Sequence, residues 1–341
     1  MAEPQHSPTT TTIPSSTAVP PQEPSKPPRP SRGTALQRLR ALILRYISYL
    51  LQKTDRNILR LSKLLSSPTT TDNLLCTTSY TLSFIHALLS RILDRRLTAI
   101  ASSIAEKATP VLLPGETFIA TVSTPPSTQR LAQTTTSIKA LENVISDYRI
   151  FVRLWGLVGI YEWARGAWNA PPLSKDAGRK EKILRGVTWA SVTSCIGFQV
   201  LENGAYLSSK GVLVSQSWTG EQGKAREGQW WIWSSRFWAG CVVLELLRLG
   251  VLHYYREPLT SSEKEKAAVE DGEKEGKMLR EEQKKEERIW WRDLVSNLAY
   301  MPMTLHWSVE EENGILSDWG VGVLGAVAGG ANLVHAWRNT A

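Results

Sequence analysis

Cysteine is scarce in this chain. Cys76, Cys195 and Cys241 are spread over 341 residues with no CxxC, so no disulfide framework is expected and a reducing compartment is the default. The five histidines, His6, His86, His253, His306 and His335, share no metal-ligand spacing with one another or with cysteine, and no metal site is expected. Catalytic signatures are missing too. There is no GxSxG elbow and no His-x4-Asp box, since His86 and Asp94 are eight apart. The run Glu310-Glu311-Glu312 reads as a solvated turn rather than an acid–base pair, with His306-Trp307 before it as membrane-border residues. The chain is therefore read as no enzyme, with no cofactor, and nucleic acid is not among its expected partners. Tryptophan is absent from the first 154 residues, yet 14 lie between Trp155 and Trp337. Trp suits cores, interfaces and the membrane–water boundary, so the two halves are unlike.

Residues 1–34 hold 20 Pro, Ser or Thr, including Thr9 to Thr12. Such a tract cannot bury a core and is expected to be a disordered leader; lacking an apolar h-region, it is not expected to be a signal peptide. The chain carries 40 Lys+Arg against 32 Asp+Glu, a formal +8. Nine of those basic residues fall between Arg29 and Lys63, with Asp55 the one acid. A mean hydropathy of -0.21 excludes a transporter packed with membrane helices from end to end.

From Ala35 the spacing turns helical. Leu36, Leu39, Ile43, Ile47 and Leu50 recur at three and four, a cap is expected near Thr54-Asp55, and Ile58, Leu61 and Leu65 continue the pattern. Residues 68–71 read as a linker. A second helix carries Leu82, Ile85, Leu89, Ile92 and Ile100, and residues 109–128 read as a proline-rich loop. The third helix is expected over about 130–168. Its seam, Ile138, Leu141, Ile145, Tyr148, Val152, Trp155 and Gly159, leaves Glu142, Arg149 and Arg153 on another face. Basic amphipathic helices of this kind fit either a soluble bundle with a solvated face or helices lying in a membrane surface against anionic phospholipids.

Three apolar stretches follow. Residues 186–201 run 16 positions without a formal charge, short for a span, and a shallow interfacial helix is expected over 183–207. Residues 230–255 are flanked by Trp230, Trp231 and Trp233 at one end and Tyr254-Tyr255 at the other, in the manner of aromatic belts; they include Arg236, Glu245 and Arg248. Residues 319–337 run 19 positions without a formal charge, just under ~30 Å as a helix, with Trp319 and Trp337 at its ends. Residues 256–293, with ten basic and twelve acidic residues, are expected to be a charged loop in water, interrupted by Gly272 and Gly276. Gly320 to Gly325 matches GxGxxG, but no strand, βαβ unit or following acid supports a dinucleotide site. Gly325 and Gly329 form GxxxG, so Gly322, Gly325 and Gly329 are read as a helix-packing face, within the chain or between chains.

Thr54-Asp55-Arg56-Asn57-Ile58-Leu59-Arg60-Leu61 resembles the N-terminal "RDK–LRL" segment of the peroxin eleven family of peroxisomal membrane proteins. Asp147-Tyr148-Arg149-Ile150-Phe151-Val152-Arg153-Leu154 looks like its "R–FRLG" helix. Leu201-Glu202-Asn203-Gly204-Ala205-Tyr206-Leu207 stands for "L–DN–WL", with Glu in place of Asp. Trp290-Trp291-Arg292-Asp293-Leu294-Val295-Ser296-Asn297-Leu298-Ala299, followed by His306-Trp307, is similar to the "LLSNLAD…HW" stretch of the gamma, or C-type, branch, as is Gln229-Trp230-Trp231-Ile232-Trp233-Ser234. The elements keep their order over about residues 35–337. The leader and the 256–293 insert depart from the pattern.

The resemblance implies a peroxisomal membrane protein with termini facing the cytosol. Its implied function is elongation, proliferation and fission of peroxisomes, through shallow insertion of an amphipathic helix, self-association into a homo-oligomer and recruitment of fission machinery. On this reading the fold is an all-α integral membrane protein with amphipathic helices and one to two transmembrane helices. It divides into the leader 1–34, cytosol-facing amphipathic helices 35–168, membrane-associated helices 169–255, the charged loop 256–293 and a C-terminal transmembrane region 294–341. The 130–168 helix is the first candidate for membrane insertion, with Arg149 and Arg153 on headgroups beside Val152 and Trp155. The 35–65 helix, with Arg56 and Arg60, is the second. Gly322, Gly325 and Gly329 are the candidate oligomer contact. Two other classes stay open: a pore or metabolite channel lined by Glu202, Glu245 and Arg248, and a tether working through the leader and the insert.

Overall fold

The structure is a computed structural model that describes residues 35–108, 124–174, 177–256 and 272–340. The leader, most of the proline-rich loop and the first part of the charged insert lie outside the described residues. Among the described residues the regular structure is helical throughout, as expected. Helix α1 spans Ala35–Leu65, α2 Pro68–Ala108, α3 Pro126–Arg153 and α4 Gly156–Asn169. After these come α5 over Arg179–Ser209, α6 over Gly220–Tyr254, α7 over Gly272–Trp307 and α8 over Asp318–Arg338. Helices α6 and α8 are long and apolar enough to cross a membrane. The chain divides into two compact units, Met1–Asn57 and Ile58–Ala341.

Several boundaries differ from the sequence reading. Helix α1 passes through Thr54-Asp55 without a break. Residues 68–71 are the first turn of α2 rather than a linker, because Pro68 takes the first helical position, where its missing N–H costs nothing. The hydroxyl of Thr71 donates to the Leu65 carbonyl at 3.2 Å, and Thr70 donates to Leu64. The first turn of α2 thus satisfies the orphan carbonyls that end α1. Helix α7 starts at Gly272 and runs through Gly276, a glycine costing only about 1 kcal/mol there relative to alanine. The expected 130–168 helix is interrupted: the Leu154 N–H bonds to Phe151, three residues back, and the axis restarts as α4. Two side chains of α5 cause this. Asn203 Nδ2 donates to the Leu154 carbonyl at 3.1 Å, and Gln199 occupies the space a Cβ on Gly156 would need.

Within the second unit, α5 and α6 form an antiparallel hairpin, with Gly197 against the Phe237 ring and Gly240 against Ser194. Thus α5 packs along α6. Helix α7 packs on α6 and α8, α3 on α2, and α4 on α5. Helix α2 runs antiparallel to α8, with Thr77 facing Gly329, Tyr80 facing Gly325 and Phe84 facing Gly322.

The buried residues of this unit mix apolar side chains, such as Leu249, Val242 and Met303, with polar ones. Ser79, Thr135, Gln199, Glu202, Ser296 and Thr304 are buried, beside small residues such as Ala205, Ala299 and Ala328. Leu141, Val144, Phe151, Trp155, Val158, Tyr161 and Trp168 are exposed. Exposed large apolar surface is the informative departure in a folded chain, and here it faces outward over successive turns of α3 and α4.

Candidate functional site

The polar interior is organised by α3. Arg149 and Arg153 are four residues apart, so they share one helix face, and that face points inward. Arg149 Nε donates to Asp72 Oδ1 of α2 at 2.8 Å. Arg153 grips Glu202 of α5 in a two-bond fork, at 3.1 Å and 2.8 Å. The Glu202 side chain is 6% exposed and that of Arg153 35%. Beside them Tyr80 is half-buried, and its desolvation pushes the phenol up to about 12. Tyr300 lies 3.3 Å from the Cys76 sulfur. At the end of α5, Lys210 pairs with Asp147, and that hydrogen bond holds its ammonium above the ordinary range.

Both cations expected on headgroups are paired within the chain, Arg149 with Asp72, whose side chain is 47% exposed, and Arg153 with buried Glu202. Val152, at 44% exposure, and Trp155, at 68%, do stand on the outer face. Arg60 is likewise engaged inside the fold. Its guanidinium lies 4.5 Å above the Trp337 ring and donates to the Trp337 carbonyl at 2.6 Å, placing a positive charge where the dipole of α8 is negative. At the other end of α8, Arg91 lies 5.6 Å from the Trp319 ring. Trp319 and Trp337 thus bracket α8, each with an arginine over it. Trp230 packs on Gly204 and meets Trp218 edge-on at 4.8 Å, inside the α5–α6 contact. Trp231, its neighbour on α6, is half-buried.

Gly322, Gly325 and Gly329 are buried against α2 of the same chain. A Cβ on Gly322 would stand 2.6 Å from the Phe84 backbone nitrogen, and one on Gly325 would stand 2.2 Å from the Tyr80 ring. As the candidate oligomer contact this face is corrected: α2 already occupies it, because only glycine lets the two backbones approach so closely.

A second polar locus is a cavity of about 340 Å³ among α4 to α8, lined by Glu245, Asp293, Asn297, Asn332, Ser191 and Tyr300, among others. Arg248 holds Glu245 at 2.6 Å and 2.8 Å. Asn332 Nδ2 donates to Ser296 Oγ at 3.0 Å, tying α8 to α7. Asp293, Asn297 and Tyr300 were not read as site residues from the sequence, although steps of four and three put them on one face of α7. Glu202, expected beside Glu245 and Arg248, is instead committed to Arg153.

In the first unit, Leu39, Leu42, Ile43, Tyr46, Ile47 and Leu50 of α1 are all exposed, between 41% and 62%. Arg38, Arg45 and Arg56 are exposed as well. At about 100° per residue these three arginines fall within roughly 20° of one another, and Leu39, Ile43 and Leu50 lie about 100–160° round the helix from them, with exposed Arg40 and Leu42 outside both groups. Exposed apolar and basic side chains therefore stand together on one helix.

A curated protein of Schizosaccharomyces pombe described as uncharacterized is 28% identical to this chain over 191 residues, which is 55% of this chain and 71% of that protein. No protein-family model matches the chain, and no solved structure matches it.

Proposed function

We propose that the protein is a non-enzymatic remodeller of a membrane, acting in the elongation, proliferation and fission of peroxisomes. The observation that carries the remodelling is α1, whose exposed Leu39, Ile43 and Leu50 lie on a different side of the helix from exposed Arg38, Arg45 and Arg56. Such a helix lies in the headgroup boundary, and its apolar side chains expand the leaflet they enter. Anionic lipid adds about 1 kcal/mol per basic residue near the surface. In this proposal α6 and α8 cross the bilayer, and the outward apolar faces of α3 and α4 meet its lipid. The inserting helix becomes α1, since α3 commits its arginines to Asp72 and Glu202.

The peroxisomal location, cytosol-facing termini, self-association and recruitment of fission machinery follow from the resemblance to the peroxin eleven family. The direct test is the full-length protein reconstituted with anionic vesicles. Tubulation is expected, and Ile43→Asp with Ile47→Asp should abolish it while the tryptophan fluorescence of the second unit is unchanged. Tubulation that survives this pair sinks the assignment to α1. A fluorescent fusion in cells tests the location: a mitochondrial or reticular pattern overturns it.

The cavity supports a second reading, a pore or metabolite channel, because Glu245 and Asp293 bring carboxylates to a polar space between apolar helices. Planar-bilayer recording separates the two. Steady, selective currents lost in Glu245→Ala favour the channel.

A further inference from the structure

We propose that Cys195 and Cys241 are a dithiol that hydrogen peroxide closes to a disulfide, joining α5 to α6; this goes beyond the remodelling reading and does not rest on it. The two sulfurs lie 3.0 Å apart across the α5–α6 contact, and both residues are unpaired thiols. A disulfide is about 2.05 Å long, so closure asks the sulfurs to approach by roughly 1 Å. The backbone prepares for this. Helix axes ordinarily lie about 8–10 Å apart, whereas a disulfide needs its Cα atoms within about 4.4–6.8 Å. Gly197 and Gly240 flank the pair and bring the helices close: a Cβ on Gly197 would stand 2.8 Å from the Phe237 ring, and one on Gly240 would stand 2.7 Å from Ser194 Oγ.

Access comes from the cavity. Both cysteines line it, together with Ser191, Glu245 and Asn297, whose polar groups receive a small polar oxidant. The chemistry balances on two thiols and one peroxide. One cysteine, as its thiolate, attacks a peroxide oxygen and the O–O bond breaks. That sulfur becomes a sulfenic acid, and the departing hydroxide takes the thiol's proton to become water. The second sulfur attacks the sulfenic sulfur, the S–O bond breaks, and the hydroxyl leaves with the second proton as water. Two sulfurs are oxidised by two electrons in all, and one peroxide is reduced to two waters. The product is a covalent tie across the cavity wall. Cys76 is the internal control: it is 3% exposed, its neighbour is the Tyr300 hydroxyl rather than a second sulfur, and it does not line the cavity.

The experiment uses the full-length reduced protein in nanodiscs, treated with excess hydrogen peroxide, denatured, alkylated, digested and read by mass spectrometry. The expected result is a peptide pair cross-linked through Cys195 and Cys241, loss of two of the three alkylatable thiols, retention of Cys76, and reversal by dithiothreitol. Cys195→Ser should remove the cross-link and leave Cys241 alkylatable or singly oxidised. The proposal is overturned if all three thiols of the wild-type protein stay alkylatable. It is equally overturned if the cross-link joins Cys76, or if Cys195 and Cys241 oxidise separately without joining.

Discussion

Replacing Arg153 by leucine separates an internal ion pair from a headgroup contact. Glu202 is 6% exposed at its side chain and receives both of its hydrogen bonds from Arg153 in the fork at 3.1 Å and 2.8 Å. Removing one partner of a buried pair costs about 3–5 kcal/mol, because the remaining charge is left without compensation. Arg153 keeps about a third of its side chain exposed, so the lower end, about 3 kcal/mol, is expected here. At about 1.4 kcal/mol per decade, that weakens the folding equilibrium by more than a hundredfold. Replacing both Arg153 and Glu202 by leucine removes both charges, and such a swap is near neutral or stabilising. The double variant should therefore be more stable than Arg153→Leu alone. The assay is denaturant unfolding of the reconstituted protein followed by tryptophan fluorescence, alongside vesicle co-sedimentation. The internal-pair account is refuted if Arg153→Leu unfolds within about 1 kcal/mol of wild type while vesicle binding drops, which is the pattern of a headgroup contact.

Gly322→Leu should push α2 away from α8, since the atoms it meets belong to the Phe84 backbone, at 2.6 Å and 2.7 Å; a loss of about 1–3 kcal/mol is expected. Gly330→Leu, with nothing within 4 Å, should be close to neutral, and thermal unfolding of the two variants side by side checks the contrast. Replacing Arg38, Arg45 and Arg56 together by glutamine should weaken binding to anionic vesicles by about 3 kcal/mol at low salt. Binding insensitive to both salt and these substitutions would count against a basic stripe on lipid. Arg60→Ala should loosen the C-terminal end of α8 by about 1 kcal/mol through loss of the bond to the Trp337 carbonyl, seen as faster amide exchange confined to its last turn.

Much of the fold was legible because helical spacing is local. The recurrence of Leu36, Leu39, Ile43, Ile47 and Leu50 marked α1, and the aromatic flanks of 230–255 and 319–337 marked α6 and α8, the two helices able to span. The breaks were less legible. Gly156 and Gly159 alone do not end a helix; the interruption at Leu154 comes from Asn203 and Gln199, about 45–50 positions further along. The polar interior was least legible of all. Asp72 carries no local mark of a partner, and it meets Arg149 across 77 positions. Asp293 sat at the edge of a charge-rich stretch that reads as solvent-facing, yet its helix carries it to the cavity wall.

The residues alone determine that the chain is helical, that one to two of its segments are apolar over a membrane's width, and that the 35–65 helix is apolar in period and rich in basic residues. Period and composition are properties of a segment by itself. Which way a stripe faces is not such a property. Arg149 and Arg153 have the same spacing whether they reach lipid phosphates or carboxylates, and Gly322, Gly325 and Gly329 offer the same close approach to a second copy or to the chain's own α2. Only the tertiary structure decides these questions, because each answer depends on which partner arrives from a distant part of the chain. Here Asp72 and Glu202 pair with the arginines and α2 covers the glycines, while the apolar and basic side chains of α1 stay exposed.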